Sequence, residues 1–367
     1  MTGNSLGKEF IITTFGESHG KNIGILIDGC PAGLPLSEED FQEELDQRIP
    51  AQQDIVSARI EKDTAKILSG TFNGKTTGAP IAITVENKEI RSSDYDLIKN
   101  LPRPSHSDYP ALIRYGGFND YRGGGRFSGR VTVGLILAGT IAKKLLHRCN
   151  IDVVAYTTAI GKIESDKKFS VTETRKNRNV TSTRCPDIVC AKKMEDSIIA
   201  AKTAGDSVGG IIECVTLNMP TGIGEPLFDA LDADLAKALF GISAVKGVEF
   251  GAGFAAAKML GSQNNDEYTT VDGKIESVTN NAGGILGGLS SGMPIILRVV
   301  IKPTPSISKE QKTVELSTMK NTTLSVKGRH DPCIVPKAVP IVEAVVAVTL
   351  VDHLIRAGYI PKVLKEK

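Results

Sequence analysis

Apolar and polar positions alternate along this chain with two periods, and the switches between them mark out its elements. Ser37-Glu38-Glu39-Asp40 reads as a capping box, with Leu36 and Phe41 placed as a hydrophobic staple, so a helix opens there. It is expected to stop before Pro50, whose ring disfavours helical backbone at the preceding residue. Residues 131–148 read as a buried helix whose last turn carries Lys143, Lys144, His147 and Arg148, charges suited to a helix carboxyl end. A β-branched run, 151–163, follows as a strand. The helix-then-strand order recurs twice more, in 191–204 with 208–217 and in 229–240 with 245–260. Further strands are expected at 23–28, 81–86 and 295–302, and the polar stretches near 164–184 and 262–281 read as surface excursions.

This is mixed α and β, an α+β class reading. No GxGxxG follows the first strand and no P-loop occurs, so neither common nucleotide-binding fold is indicated. No stretch has the composition of a flexible linker, and 1–367 is read as a single large domain. The recurring units leave room for an internal duplication.

Bulk properties narrow the class of function. The formal charge of +2 over 367 residues calls for neither nucleic acid nor a membrane surface as partner. The longest apolar runs, 131–142 and 341–351, are shorter than the roughly 20 residues that cross a bilayer. The six cysteines include no CxxC pair, so neither a zinc site nor a disulfide framework is expected. With no charged-then-apolar pattern at the amino terminus, the expected location is the cytoplasm.

Local chemistry is more telling. Between Arg103 and Arg130 lie five arginines, six glycines and one histidine. Glycines let a backbone approach a ligand and take positive φ. Arginines offer forked donors to phosphate or carboxylate oxygens, and a histidine moves protons near neutral pH. The combination describes a site for a small molecule with several negative charges. An Arg-Gly RNA-binding segment would repeat, and this window does not.

Three of the five histidines sit in loop-like motifs: His19 in Phe15-Gly16-Glu17-Ser18-His19-Gly20, His106 after Arg103-Pro104, and His330 before Asp331. His147 and His353 fall on helices and read as structural. Lys302-Pro303-Thr304-Pro305-Ser306 closes a strand with a lysine and hydroxyls able to hold a phosphate, and is equally an ordinary strand exit. The glycine pairs of 280–292 read as a second loop where backbone could meet a flat ring or a phosphate. Ser18-His19 is not read as a hydrolase pair, because adjacent residues seldom direct their side chains at each other.

These motifs, in order, resemble the chorismate synthase family over almost the full length, from Thr13-Thr14-Phe15-Gly16-Glu17-Ser18-His19-Gly20 to Gly328-Arg329-His330-Asp331-Pro332-Cys333. Between them stand Arg103-Pro104-Ser105-His106-Ser107-Asp108-Tyr109, Tyr121-Arg122-Gly123-Gly124-Gly125-Arg126, Gly205-Asp206-Ser207-Val208-Gly209, Ala244-Val245-Lys246-Gly247-Val248-Glu249 and Ala282-Gly283-Gly284-Ile285-Leu286-Gly287-Gly288. The resemblance implies a β-α-β sandwich assembled as a homotetramer. It implies a lyase of the shikimate pathway that takes 5-enolpyruvylshikimate 3-phosphate to chorismate by anti-1,4-elimination of phosphate. Reduced FMN (FMNH2) is the implied cofactor, with no net redox change.

By the same resemblance, His19 protonates the leaving phosphate, His106 lies by the flavin N1 edge and Asp331 by N5. Flavin contacts carried over are Arg126, Phe127, Ser128, Ser243, Ala244, Gly287, Lys302, Pro303, Thr304, Pro305, Ser306 and Arg329. Arg48, Arg103 and Arg130 match arginines for substrate or NADP. The family often has Arg-Arg-Arg-Pro-Gly and a further arginine after the first helix. This chain keeps Arg48 and carries Asp54 where a nucleotide-binding arginine is expected. Ser105, Ser107 and Phe127 replace the usual glycine, alanine and serine. No segment is read as a flavin-reducing domain, so an external flavin reductase or free reduced FMN is implied. Two other readings remain at this point: a flavin-dependent oxidoreductase acting on an anionic small molecule, and an anion-binding module without turnover.

Overall fold

Two antiparallel five-stranded sheets face each other across a pair of long helices. The structure, a computed structural model, describes residues 3–48, 63–88, 99–326 and 330–365. The first sheet runs, edge to edge, Ser5–Leu6, Ile11–Phe15, Asn22–Asp28, Ile81–Glu86 and Ala65–Ile67. The second runs Val245–Phe250, Ile295–Ile301, Gly210–Leu217, Asp152–Ile160 and Ile163–Glu164. Numbered by chain order within each set, the first sheet reads 1-2-3-5-4 and the second, from its Ile163–Glu164 edge, 2-1-3-5-4. One of the two long helices follows each set, so the recurrence in the sequence has a counterpart in topology.

Alternation explains the inner faces. Ile23, Ile25 and Ile27 are buried and lie opposite Val85, Ile83 and Ile81, so one whole face of this strand pair is aliphatic. In the second sheet Ile212, Cys214 and Thr216 face Val299, Leu297 and Ile295 in the same manner. The helix Val133–Arg148 packs on the first sheet, and Val335–Arg356 packs on that helix and on the second sheet. One apolar cluster runs from Phe10 to Ile360 through both sheets and both helices. The Val335–Arg356 helix has the length and hydropathy to cross a membrane, yet it is wholly buried as the centre of this sandwich. That is the burial expected of a helix apolar all round.

A charged network sits within the helix layer. Glu343 accepts from Lys143 Nζ at 2.8 Å, from the amide of Ala155 at 2.8 Å and from Arg178, while Lys143 also reaches Glu44 at 2.7 Å. Burial would raise the Glu343 pKa, but Arg178 and Lys143 outweigh it and hold the carboxyl well below the usual range.

Several elements differ from expectation. The strand expected over 245–260 ends at Phe250, because Gly251 and Gly253 take positive φ and a 3₁₀ turn follows at Gly253–Lys258. The strand expected over 151–163 turns at Gly161 and returns as Ile163–Glu164. The stretch 164–184 is no mere excursion: it holds the helix Val171–Val180, and Arg178 and Arg184 are buried. Of the other expected excursion, the hairpin Tyr268–Val271 with Lys274–Ser277 is largely exposed.

Candidate active site

The loops of the arginine- and glycine-rich window gather at one rim of the first sheet. Gly123, Gly124 and Gly125 take consecutive positive φ values of 58°, 82° and 53°, a run that side-chain-bearing residues do not tolerate. A Cβ on Gly123 would lie 2.3 Å from the His19 ring, and one on Gly124 would lie 3.3 Å from Nε2 of His106. The triglycine turn is thus wedged between the two loop histidines. His19 is buried at the end of the Ile11–Phe15 strand, and the amide of Ser18 donates to the carbonyl of Gly125 at 3.2 Å.

On the His19 side, Arg48 and Arg130 converge on Asp63, at 3.0 and 2.7 Å from the same carboxylate oxygen. Arg130 Nε also donates to Asn87 at 2.9 Å, and the Asn87 amide donates to the carbonyls of Glu17 and Gly20. Asn87 therefore fastens Arg130 to the His19 loop. Ser128 accepts from the amide of Arg130 at 3.2 Å and caps the short turn that leads into the Val133–Arg148 helix. Arg126 reaches back to the carbonyls of Thr14 and Gly16, and burial lowers its pKa.

On the His106 side, every guanidinium nitrogen of Arg103 is held within the chain. Nε and Nη2 donate to Asp108 at 2.8 and 2.7 Å, and Nη1 donates to Ser306 Oγ at 3.1 Å. Ser306 belongs to the 302–306 segment, and Lys302 Nζ donates to the carbonyl of Ser105. The amide of Lys302 donates to the carbonyl of Ala244, itself at φ 72° beside Ser243. Thr304 Oγ1 donates to the carbonyl of Asp331 at 3.0 Å, while the Asp331 carboxylate takes Lys337 Nζ at 2.7 Å. Contacts along the chain therefore connect His106, Arg103, Lys302–Ser306, Ala244 and Asp331. Phe127, its ring 6.4 Å from that of Tyr115, shares with Asp108, Asp120, Tyr121 and Gly124 the lining of a cleft of about 160 Å³.

Gly287 stands apart. It occupies the tip of the hairpin joining Ile285–Leu286 to Leu289–Ser290, with Gly288 packed on Ala230. That hairpin adjoins the Pro294 end of the Ile295–Ile301 strand, whose other end leads to Lys302. Seven strand residues span roughly 20 Å, so the described contacts do not bring Gly287 to the histidines. Gly283, Gly284 and Gly288 are needed by close approach to the chain itself, and only Gly287 opens onto free space. Arg329 and Asp54 lie outside the described residues.

Asp63, Asn87 and Asp108 are site residues that sequence reasoning passed over. Asp108 sits two positions from His106 inside a quoted motif and carried the only usable signal. Asp63 and Asn87 are isolated polar residues whose partners lie 67 and 43 positions away.

A family model described as chorismate synthase matches residues 10–355. A chorismate synthase of Korarchaeum cryptofilum is 51% identical over 97% of this chain and 99% of its own length. One of Methanosarcina mazei is 52% identical over 98% of each chain. A crystal structure of chorismate synthase superposes with a TM-score of 0.76 at 31% identity, covering 96% of this chain and 93% of its own. A sandwich of this topology, carrying these loops in this order, places the chain in the chorismate synthase family of enzymes.

Proposed function

We propose that this chain, as one catalytic domain, converts 5-enolpyruvylshikimate 3-phosphate to chorismate by anti-1,4-elimination of phosphate, with reduced FMN as a catalytic cofactor. The observation that carries the reading is the triglycine turn held between His19 and His106. Two proton-moving groups on either side of one bare backbone suit a reaction that expels phosphate at one end of a ring and removes a proton at the other.

The residues fit a flavin phosphate. Burial first, and the nearby Lys246 second, hold the Lys302 pKa below the ordinary lysine value. A bound phosphate would relieve that repulsion, and the Thr304 and Ser306 hydroxyls stand beside it in the chain. Reduced FMN held there would supply electron density for cleavage of the C–O bond.

The chain's own groups divide the remaining work. Arg48 and Arg130, already converged on Asp63, bind the substrate's anionic groups. His19 protonates the departing phosphate, and its burial excludes water from that transfer. His106 presents Nε2 toward the cleft, and Asp331 assists removal of the ring proton. Arg126, Phe127, Ser128, Ser243 and Ala244 serve as further flavin contacts, while Gly287 and Arg329 are carried as flavin contacts by the family resemblance alone. Arg103 braces the His106 loop rather than meeting substrate, because its donors are already engaged. The working form is a cytoplasmic homotetramer supplied with flavin by an external reductase or as free reduced FMN.

Anaerobic phosphate release with sub-stoichiometric dithionite-reduced FMN tests the reading. Many chorismates per flavin are expected, with turnover falling about 10²–10⁴-fold in His19→Ala or His106→Ala, the usual weight of a general acid or base. Equal turnover with oxidised flavin, or one reductant consumed per product as an oxidoreductase requires, overturns it.

A further inference from the structure

Asp108 has no part in the reaction just described, and its surroundings give it one. Its Oδ1 lies 2.6 Å from His106 Nδ1 and 2.7 Å from Arg103 Nη2. Its Oδ2 accepts from Arg103 Nε at 2.8 Å and from the Arg103 amide at 3.0 Å. Four donors thus meet one carboxylate that is almost wholly buried. Burial alone would raise its pKa, but the bonds from Arg103 and His106 prevail and hold it well below the usual carboxylate range. Asp108 is therefore ionised at neutral pH.

An ionised carboxylate can only accept hydrogen bonds. At 2.6 Å the facing Nδ1 must carry a hydrogen, since a lone pair there would point at negative charge. The titrating atom of His106 is then Nε2. That edge of the ring lies against Gly124, which also lines the cleft with Asp120, Tyr121 and Phe127.

We propose that Asp108 is the positioning residue of His106: it fixes the Nδ1–H tautomer, sets the ring plane, and so delivers Nε2 to the reacting ligand. The kinetic consequence rests on the function proposed above; the tautomer does not. The charged groups around the ring are Asp108 and Arg103 in contact, Lys302 through its bond to the Ser105 carbonyl, and His19 across the triglycine turn. Removing the carboxylate leaves the Arg103 guanidinium, 3.1 Å from Nδ1, as the group in contact, and that donor favours a lone pair on Nδ1.

The test uses ligand-free full-length protein with ¹³C-labelled histidine, whose five imidazoles are few enough to resolve. The His106 signal is assigned by its loss in His106→Asn. In the unaltered protein the Cδ2 shift should report the Nδ1–H tautomer, a measurement that needs no other variant to fold. In Asp108→Asn the His106 Cδ2 shift should move toward the Nε2–H tautomer. Its kcat should fall about 10- to 100-fold with KM little changed, the usual loss when an orienting partner of a working histidine goes. Asp108→Glu should recover part of both. An Nε2–H tautomer in the unaltered protein, an unmoved Cδ2 shift in folded Asp108→Asn, or an unchanged kcat overturns the proposal. If the tautomer behaves as stated in both proteins while the unaltered protein forms no chorismate, it is the reading of the reaction that fails, and the positioning stands.

Discussion

A single methyl group separates Gly123 from alanine, and the His19 ring leaves no room for it. The added carbon would stand 2.3 Å from Nδ1 and Cε1 of that ring and 2.6 Å from Ser18 Oγ. Gly123→Ala is expected to cost about 10²-fold in turnover by displacing His19, together with about 1–2 kcal/mol of backbone strain. Gly74→Ala isolates the strain, because Gly74 has φ 72° and no heavy atom within 4 Å of its added carbon. Full turnover in Gly123→Ala would show that the turn does not hold His19. At this scale the sequence was most legible where residues of unusual chemistry cluster, as His106, Arg103 and the triglycine do within one window. Asp63, Asn87 and Asp108 acquire meaning only through partners, and an isolated Asp or Asn carries no sign of what it will touch.

Elements were legible where one face differs from the other. The capping box at Ser37 forms, with Ser37 N donating to Asp40 at 2.9 Å, and the strand Ile81–Glu86 keeps its expected bounds. The helix Asp108–Tyr115 went unread because Pro110 falls in its first turn, although Gly116 in the left-handed region marks its end. The Val335–Arg356 helix showed only an apolar run, since a helix buried on every side has no periodicity to detect. Its partners are readable only in three dimensions. Asp352 Oδ1 accepts from the amides of Lys8, Glu9 and Phe10 at 2.7, 2.7 and 2.9 Å, pinning the amino-terminal segment to the last helix. Asp352→Ala strands these donors, and a loss of about 1–3 kcal/mol is expected. Hydrogen exchange should quicken at residues 8–10; unchanged protection there would refute the pin.

For the molecule as a whole, the class of fold was legible and the order of its layers was not, because contacts such as Lys143 with Glu343 join residues 200 positions apart. Those contacts make the helix layer sensitive to acid. The folded Glu343 pKa is depressed, so its contribution is present above the ordinary glutamate pKa of about 4.3 and is lost as pH falls below it. Glu343→Gln leaves Lys143 and Arg178 without their shared anion, at an expected cost of about 3–5 kcal/mol at neutral pH. Denaturant midpoints at pH 7 and near pH 3 should show the gap from the unaltered chain narrowing in acid; a constant gap would remove Glu343 from the account.

The bond between Arg103 and Ser306, and that between Lys302 and the Ser105 carbonyl, cross from one half of the sandwich to the other. Neither half can therefore build the His106 side of the site alone. During folding each sheet can pair its own strands early, but closure over some 200 residues is entropically slow. Binding competence is consequently a late event, arriving only when the halves dock. A chain whose halves have not docked lacks the Arg103–Ser306 and Lys302–Ser105 bonds that hold the His106 side together.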